Sequence, residues 1–337
     1  MILVTGGTGL VGSHLLFKLT KNDQNIRALY RSNESIKKVK KVFSYYSDKI
    51  ETQFKKIEWV QGDLNDIPKL EEAFKGITKV FHCAALISFA PNDYNQLKKI
   101  NIEGTANIVN LCISYSIQKL CYVSSVATMG FDPIRISEET TWKSEEVKNV
   151  YALTKYAAEK EVWRGIQEGV PCVIVNPGVI LGPGYFNSGS GLIFKIIRKG
   201  LMYKTNGITG YVDVNDVVKS MLLLMSDKHL NERYIIVGKT LSFSELTSKI
   251  SKSLGVKAPE KIAKKWMLSL AWRLDWVKHK DLGKKRKLTK NMCKTLHSKN
   301  LYSSEKFLRL EKDFHFKPIS QTILEVSKVY LKESKAC

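Results

Sequence analysis

Short apolar runs alternate with segments of helical periodicity along the first half of the chain. The first run, residues 1–4, leads into a glycine-rich turn, and the amphipathic residues 13–20 follow at once. Further apolar runs of strand length occupy residues 26–30, 57–60, 79–84, 120–124 and 171–175. Continuous apolar strands separated by helices are typical of a parallel sheet that is buried on both faces. The pattern therefore predicts an α/β fold with a doubly wound parallel sheet and right-handed crossovers.

The turn after the first strand carries glycines at three-residue spacing. Gly6 allows a tight turn, Gly9 lets the backbone approach a pyrophosphate, and Gly12 lets the helix pack closely on the strand. The free N–H groups and partial positive charge of the helix N-terminus would meet the phosphates. This context predicts a Rossmann-type dinucleotide site, with a purely structural turn as the alternative. The predicted cofactor-binding residues of the turn are Gly6, Thr8, Gly9, Leu10, Val11 and Gly12.

The alternation of strands and helices loosens after about residue 178, where proline and glycine accumulate. We therefore predict a dinucleotide-binding Rossmann domain over residues 1–177 and a smaller, mainly substrate-binding lobe over residues 178–337. Segments near residues 211–238 are expected to return to the first domain. Ligands of doubly wound sheets bind at the carboxyl ends of the strands, where the strand order reverses.

The 337 residues include 54 Lys and Arg against 32 Asp and Glu, a formal net charge of +22. Residues 257–300 contribute half of this excess, but no zinc-finger spacing or RNA-binding aromatic signature accompanies it, so nucleic acid is not expected as a partner.

The six histidines form no ligand-spaced cluster, and no metal site is predicted. The six cysteines form no CxxC pair and are expected to be free thiols. An apolar strand at residue 1 or 2, with no apolar run long enough for a membrane span, leads us to expect a cytoplasmic protein.

Tyr151 and Lys155 stand four residues apart at the start of a helical segment. Residues at this spacing share a helix face, so we expect the ammonium to lower the pKa of the phenol and prepare it for general acid or base catalysis. Ser125 follows a strand whose carboxyl end should face the same crevice, where a hydroxyl can bind a substrate oxygen as its charge develops. Without this third partner, a tyrosine and lysine at such a spacing would more often be a surface pair.

In this combination the chain resembles the extended short-chain dehydrogenase/reductase family, the group that includes NAD-dependent epimerases and dehydratases. The motifs that carry the resemblance, in that family's order over nearly the whole chain, are Gly6, Gly9 and Gly12, Asp63-Leu64, His82 to Ala85, Asn101 to Thr105, Ser124-Ser125, Tyr151 with Lys155, Pro177 to Pro183, and Tyr211 to Asp216. The resemblance implies that Tyr151 is the catalytic acid or base and that Lys155 lowers its pKa and holds the nicotinamide ribose. It also implies that Ser125, rather than Ser124, orients the substrate.

The same resemblance implies further cofactor contacts, which involve Asp63, Leu64, Ala84, Ala85, Asn101, Tyr151, Lys155, Pro177 and Gly178. A role in a strand-end turn is the alternative for Asp63, and a helix-stabilising contact is the alternative for Asn101. The end of the second strand distinguishes the two nicotinamide cofactors, because an acidic residue there would bind a ribose 2′-hydroxyl. This chain has Arg31 instead, and a guanidinium suits a 2′-phosphate. NADP(H) is therefore predicted over NAD(H), unless Arg31 is merely a solvated strand-end residue.

Residues 173–178 and 182–183 look closest to the dihydroflavonol reductase-like and 3β-hydroxysteroid dehydrogenase-like branch of the family. The first hypothesis is an NADP(H)-dependent oxidoreductase that interconverts a carbonyl group and a secondary alcohol in a small-molecule substrate. A nucleotide-sugar epimerase or dehydratase is the second, and a non-catalytic dinucleotide-sensing regulator is the third. By resemblance, residues 93–116 and 151–168 are expected to form the contact of a homodimer, although they could equally pack on their own sheet.

An apolar stripe at mainly helical spacing, flanked by lysines, runs through residues 259–277. It predicts a helix that covers the substrate pocket, and the alternative is a basic amphipathic helix that rests on an anionic membrane. The basic run of residues 284–287 resembles a polyanion or localisation patch, with a solvated loop as the alternative. Phe89, Phe186 and Tyr203 are candidates either for an apolar pocket or for the core.

Overall fold

The structure is a computed structural model that describes residues 1–22, 24–143, 149–226, 228–282 and 289–335. Its strands, in chain order, are β1 (Ile2–Thr5), β2 (Ile26–Tyr30), β3 (Ile57–Gln61), β4 (Lys79–His82), β5 (Lys119–Val123), β6 (Cys172–Pro177), β7 (Val179–Leu181), β8 (Tyr203–Lys204), β9 (Ile208–Asp213), β10 (Glu232–Ile236), β11 (Lys239–Ser242) and β12 (Lys261–Ile262).

Its α-helices are α1 (Leu10–Leu19), α2 (Asn33–Phe43), α3 (Ile50–Phe54), α4 (Ile67–Phe74), α5 (Tyr94–Leu97), α6 (Gly104–Ser114), α7 (Val150–Gln167), α8 (Gly191–Arg198), α9 (Val214–Leu224), α10 (Phe243–Leu254), α11 (Lys265–Leu282), α12 (Lys290–Thr295), α13 (Glu305–Leu310) and α14 (Ile319–Lys335). A π-helical turn covers Lys98–Glu103, and 3₁₀ turns cover Pro91–Asp93 and Val126–Thr128.

Seven strands form one sheet in the order β10-β6-β5-β4-β1-β2-β3, and every neighbouring pair in it is parallel. At its centre, Ile2 of β1 lies opposite Ile26 of β2 and Lys79 of β4. The chain moves outward from β1 to β3 and then returns to β4 on the other side of β1. The strand order therefore reverses between β1 and β4, and a ligand crevice is expected at the carboxyl ends of these strands. The predicted doubly wound α/β fold is confirmed.

Alternating side chains of the central strands fill two cores, one on each face of the sheet. Val4 of β1 and Phe81 of β4 belong to the core that α1 and α9 cover. Leu3 and Val80 belong to the core under α4, α6 and α7. Because both faces are covered, the strands occur in the sequence as continuous apolar runs rather than as alternating ones.

A smaller core lies in the C-terminal lobe, between α8, α10, α14 and the three-stranded sheet β11-β9-β7. Phe194, Leu246, Ile250 and Ile323 are buried there. Between β9 and β11 the chain returns to the large sheet through β10, which pairs with β6. Across the described ranges, no helix combines the length and the apolar character that crossing a bilayer requires.

Two predicted helical segments have different bounds in the structure. The helix predicted over residues 259–277 begins only with α11, because the preceding Lys261–Ile262 pairs with β8 as strand β12. The segment predicted over residues 93–116 is divided by the π-helical turn Lys98–Glu103, which separates α5 from α6. Turns of this kind are often found at functional sites, and this one contains Asn101.

Candidate active site

The glycine turn between β1 and α1 brings three backbone segments together with no side chain between them. Gly6 has a left-handed φ of +67°, and a Cβ atom on it would lie 2.5 Å from the amide nitrogen of Ala84. A Cβ atom on Gly12 would lie 2.2 Å from the carbonyl oxygen of Gly6. At Gly9 the nearest atom would be 3.4 Å away. The backbone at Gly9 is therefore the part of the turn that a ligand can approach.

The first turn of α1 presents backbone donors to this opening. The amides of Leu10, Val11 and Gly12 have no acceptor within the helix, and the turn contains no acidic side chain. Together with the positive end of the helix dipole, these amides suit a pyrophosphate. The residues present therefore fit a dinucleotide. The carbonyl oxygen of Thr8 accepts a hydrogen bond of 2.6 Å from the hydroxyl of Tyr185, which helps to hold the turn in place.

Tyr185 is a residue of this region that the sequence analysis missed. It has a left-handed φ of +57° in the loop after β7, and its hydroxyl fastens that loop to the glycine turn. Burial raises the pKa of Tyr185 to about 12, so the hydroxyl remains a donor. Its position directly after Gly184 in a segment rich in proline and glycine was the available signal.

Arg31 and Asp63 follow the carboxyl ends of β2 and β3 and line one surface depression of about 700 Å³. The Arg31 side chain is exposed, and its guanidinium forms no ion pair with the residues that the structure describes. One carboxylate oxygen of Asp63 accepts hydrogen bonds from the backbone and side-chain amides of Asn65. Leu64 is buried and packs against the position of Gly104. The structure therefore places Arg31 and Asp63 together at the surface and Leu64 in the core.

Ser125, Tyr151 and Lys155 come together at the carboxyl end of β5. Tyr151 lies in the first turn of α7, which Asn149 caps by accepting a hydrogen bond from the amide of Ala152. The Ser125 hydroxyl lies near the phenol and favours its ionised form. Lys155 lies one helical turn further along α7 and is buried. The three side chains that were predicted to act together are thus neighbours.

The ammonium of Lys155 is directed at β5. It donates hydrogen bonds to the Tyr122 hydroxyl at 2.7 Å and to the Val123 carbonyl oxygen at 2.8 Å. It also lies 4.3 Å from the centre of the Tyr122 ring. Burial lowers the pKa of Lys155 to about 7, and the nearby Glu159 carboxylate opposes this shift. The neighbouring Cys83 stays a thiol, because burial raises its pKa to about 12.

The expectation that Lys155 lowers the pKa of Tyr151 is wrong for this structure. Burial raises the pKa of Tyr151 to about 12, and the nearby Ser125 hydroxyl acts in the opposite direction. The ammonium is hydrogen-bonded to Tyr122 and Val123 rather than to this phenol. Near neutral pH, Tyr151 is therefore a phenol that can donate a proton.

A buried chain of polar side chains continues from Lys155 across the sheet. The Tyr122 hydroxyl lies near the Thr105 side chain, whose hydroxyl is 3.0 Å from Nε2 of His82. The other ring nitrogen of His82 lies 2.6 Å from the Thr5 hydroxyl. Burial lowers the pKa of His82 to about 3, so the ring is neutral. None of these four residues was predicted to lie beneath the site, although each stands at a strand end or in a motif.

Glu159, also on α7, is a second buried charge beside the site. Its carboxylate accepts hydrogen bonds from Thr128 at 2.9 Å, from Asn176 at 2.9 Å and from the Arg233 guanidinium at 3.2 Å. It accepts a further hydrogen bond from the Ser124 hydroxyl. This contact directs Ser124 into the core. Ser125, the next residue, is therefore the serine that lies beside the phenol of Tyr151. Glu159 was not among the predicted site residues, although it stands four residues after a predicted catalytic lysine.

Asn101 fastens the loop after β4 to α7. Its side-chain oxygen accepts a hydrogen bond from the amide of Leu86 at 2.8 Å, and its side-chain amide donates to the Leu86 carbonyl at 3.1 Å. The same amide donates to the Thr154 hydroxyl at 3.3 Å. The loop held in this way contains Ala84, which touches the glycine turn, and the exposed Ala85. The side chain of Asn101 thus positions the backbone of the loop after β4 beside the glycine turn.

Pro177 and Gly178 lie at the end of β6, beside β10. Pro177 is buried, and the amide of Gly178 donates to the Ile236 carbonyl at 3.1 Å. A Cβ atom on Gly178 would lie 2.5 Å from the carbonyl oxygen of Gly210. Close backbone packing therefore accounts for this glycine.

Across the part of the chain that the structure describes, no three His, Cys, Asp or Glu side chains are grouped as a metal ion would need.

The three aromatic candidates for a substrate pocket have different surroundings. Phe89 meets the Tyr151 ring edge-on, with the ring centres 5.6 Å apart, and is 38% exposed. Phe186 is buried in the core of the C-terminal lobe, where its ring contacts Tyr330. Tyr203 is exposed on β8. Phe89 is therefore the aromatic residue beside the phenol.

The sequence model of the NAD dependent epimerase/dehydratase family matches residues 2–237. The chain belongs to this family, and its membership of the extended short-chain dehydrogenases/reductases is confirmed. This assignment places it among the NAD(P)-dependent reductases, epimerases and dehydratases.

Individual relatives include proteins named as reductases. The chain is 30% identical over 278 residues to a Synechocystis sp. protein provisionally named dihydroflavonol 4-reductase, with 80% of this chain and 77% of the relative covered. It is 26% identical over 264 residues to cinnamoyl-CoA reductase 1 of Petunia hybrida, with 75% and 77% covered.

Solved structures of similar fold include a crystal structure of gox2253. It matches with a TM-score of 0.81 and 25% identity over 99% of both chains. The UDP-glucose 4-epimerase of Thermotoga maritima matches with a TM-score of 0.76 and 19% identity, also over 99% of both chains. The latter likeness supports the fold alone.

The pKa of Lys155 generates a prediction for cofactor binding. Its ammonium is present below pH 7 and is lost as the pH rises through the pKa of about 7. The family resemblance implies that this ammonium holds the nicotinamide ribose. We therefore expect the Kd of NADH, which lacks a titrating 2′-phosphate, to rise above that pH by up to about tenfold per pH unit. Fluorescence titration over a pH series measures this dependence.

Lys155→Met should remove the pH dependence, whereas Lys160→Met, at an exposed position of the same helix, should keep it. An unchanged slope in Lys155→Met would show that another group titrates.

Proposed function

We propose that the protein is an NADP(H)-dependent oxidoreductase that interconverts a carbonyl group and a secondary alcohol in a small molecule. The observation that carries this proposal is the meeting of Ser125, Tyr151 and Lys155 at the strand ends, on the side of the sheet where the N-terminus of α1 opens. A protonated phenol and a serine hydroxyl can both donate to an oxygen on which negative charge develops. The relatives named as reductases support reduction as the overall reaction.

In the direction of reduction, Ser125 donates a hydrogen bond to the substrate carbonyl oxygen, and Tyr151 transfers its phenolic proton to that oxygen. When bound, the nicotinamide supplies the hydride to the carbonyl carbon. The phenolate then regains a proton from solvent, which balances the reaction. Because burial raises the pKa of Tyr151 to about 12, the proton-donating form prevails at neutral pH, which favours reduction. Following the family resemblance, we assign to Lys155 the binding of the nicotinamide ribose.

The proposed substrate carries an apolar or aromatic group beside its carbonyl. Phe89 supports this class, because its partly exposed ring lies against the phenol that would donate the proton. An aromatic face at this position gains from contact with apolar atoms. A nucleotide sugar offers mainly hydroxyl groups there.

Replacement of Tyr151 by Phe tests the role of the phenol. We expect kcat for NADPH-dependent reduction to fall by about 10²- to 10⁴-fold, the usual contribution of a positioned general acid, while cofactor affinity stays near that of the wild type. The assay is NADPH consumption over a panel of ketones, aldehydes and nucleotide sugars.

Tyr156→Phe, on the same helix, is the matched control and should keep its activity. Full turnover in Tyr151→Phe would contradict the mechanism. Epimerisation of a nucleotide sugar by the wild type, without net cofactor consumption, would favour the epimerase hypothesis.

We propose that Arg31 selects NADP(H). Its exposed guanidinium has no ion-pair partner among the described residues and lines the depression that also contains Asp63. A guanidinium donates bidentate hydrogen bonds to a phosphate and has no comparable acceptor on a neutral ribose.

In Arg31→Ala, kcat/KM for NADPH should fall by about 10- to 100-fold, because charge-assisted hydrogen bonds contribute about 1.5–3 kcal/mol. The same ratio for NADH should change little, and steady-state kinetics with both cofactors measures the difference. Arg309→Ala, at a remote exposed position, is the control. An equal loss with both cofactors, or a wild-type preference for NADH, would refute this role.

We propose a homodimer that forms through α6 and α7, as the family resemblance implies. Both helices bury one face on the sheet, and Leu153 of α7 is 44% exposed on the outside.

Sedimentation equilibrium should give the mass of two chains, and Leu153→Asp should raise the dimer Kd by about tenfold or more. Leu324→Asp on α14, equally exposed at 46%, is the matched control. A wild-type monomer would contradict the proposal.

A further inference from the structure

Helix α11 carries a stripe of large apolar side chains that face solvent. Trp266, Leu270 and Leu274 follow one another at four-residue spacing and are 65%, 52% and 53% exposed. On a helix this spacing places them on one face over a length of about 12 Å. We call these three residues the α11 stripe. Such a contiguous exposed group is unusual in a folded protein and marks an interaction surface.

The segments that precede the helix also expose apolar side chains. Ile262 on β12 is 50% exposed, and Met202, next to β8, is 63% exposed. The two segments are joined by a hydrogen bond of 3.3 Å from the Lys261 amide to the Met202 carbonyl. Exposed apolar side chains therefore also lie on the strands next to the start of α11.

Exposed basic side chains lie at the beginning of this region. Lys261, Lys264 and Lys265 are exposed and form no ion pair with the residues that the structure describes. In the sequence, residues 257–300 contain 14 Lys or Arg against 3 Asp or Glu. The basic run of residues 284–287 belongs to this segment but lies outside the described residues. The partner of the α11 stripe must therefore offer both apolar contact and negative charge.

We propose that the α11 stripe docks on a bilayer surface that contains anionic phospholipids. Tryptophan and leucine enter the headgroup region while the lysines meet the lipid phosphates, a combination that holds amphipathic helices in the membrane plane. A second copy of this region is a poorer partner for it, since the exposed lysines of the two copies would be brought against each other. A lid over the substrate pocket would bury the stripe, whose residues are more than half exposed.

Flotation of the full chain with vesicles tests this inference without reference to catalysis. We expect binding to vesicles that contain phosphatidylglycerol, weak binding to vesicles of phosphatidylcholine alone, and release by high salt, which screens the lysines. The variant Trp266→Ser/Leu270→Ser should bind the anionic vesicles about tenfold or more weakly. Ile134→Ser/Leu324→Ser, which also replaces two exposed apolar residues, should bind as the wild type does.

Lys264→Glu/Lys265→Glu should also weaken binding, whereas Lys312→Glu/Lys328→Glu, with the same change of charge at exposed positions of the C-terminal lobe, should weaken it less. Circular dichroism checks that each variant is folded. The inference is overturned if the wild type ignores anionic vesicles or if the Trp266→Ser/Leu270→Ser variant still binds them. It is also overturned if that variant loses self-association, as a dimer contact would, or loses turnover in the absence of vesicles, as a lid would. Neither vesicle binding nor its loss depends on which reaction the protein catalyses.

Discussion

The burial of one ammonium group determines much of the geometry of this site. A charged lysine inside a protein must be hydrogen-bonded or lose its proton. Lys155 meets this demand by donating to the Tyr122 hydroxyl and the Val123 carbonyl, which ties α7 to the end of β5. Since Tyr151 lies one turn earlier on α7, the position of its phenol beside Ser125 follows from that attachment.

A second buried charge on α7 secures the other side of the helix. Glu159 gathers donors from β6, β10 and the 3₁₀ turn after β5, among them Asn176 and Arg233. Lys155 and Glu159, which have opposite charges and lie four residues apart, thus attach α7 to β5 and to the pair β6 and β10. Catalytic side chains need this kind of support, because small displacements of the reacting groups are costly in rate.

Much of the fold could be predicted from the sequence because its signals are local. Strands covered on both faces must be apolar throughout, and the glycine turn needs Gly6 and Gly12 for contacts that a Cβ atom would prevent. The start of α11 could not be predicted, since the pairing of β12 with β8 joins residues distant in sequence. A helical spacing likewise placed Lys155 near Tyr151 but could not indicate which neighbour its ammonium would bind. That choice depends on Tyr122, which a different part of the chain supplies.

The thiol beside the ammonium has a consequence for how the protein withstands oxidants. A cysteine close to a positive charge is often reactive, because the thiolate is the form that peroxides and disulfides attack. At Cys83 burial outweighs the charge and raises the pKa to about 12, so the sulfur is almost entirely protonated at physiological pH. A site built in this way keeps sulfur at its base without offering peroxide an easy target.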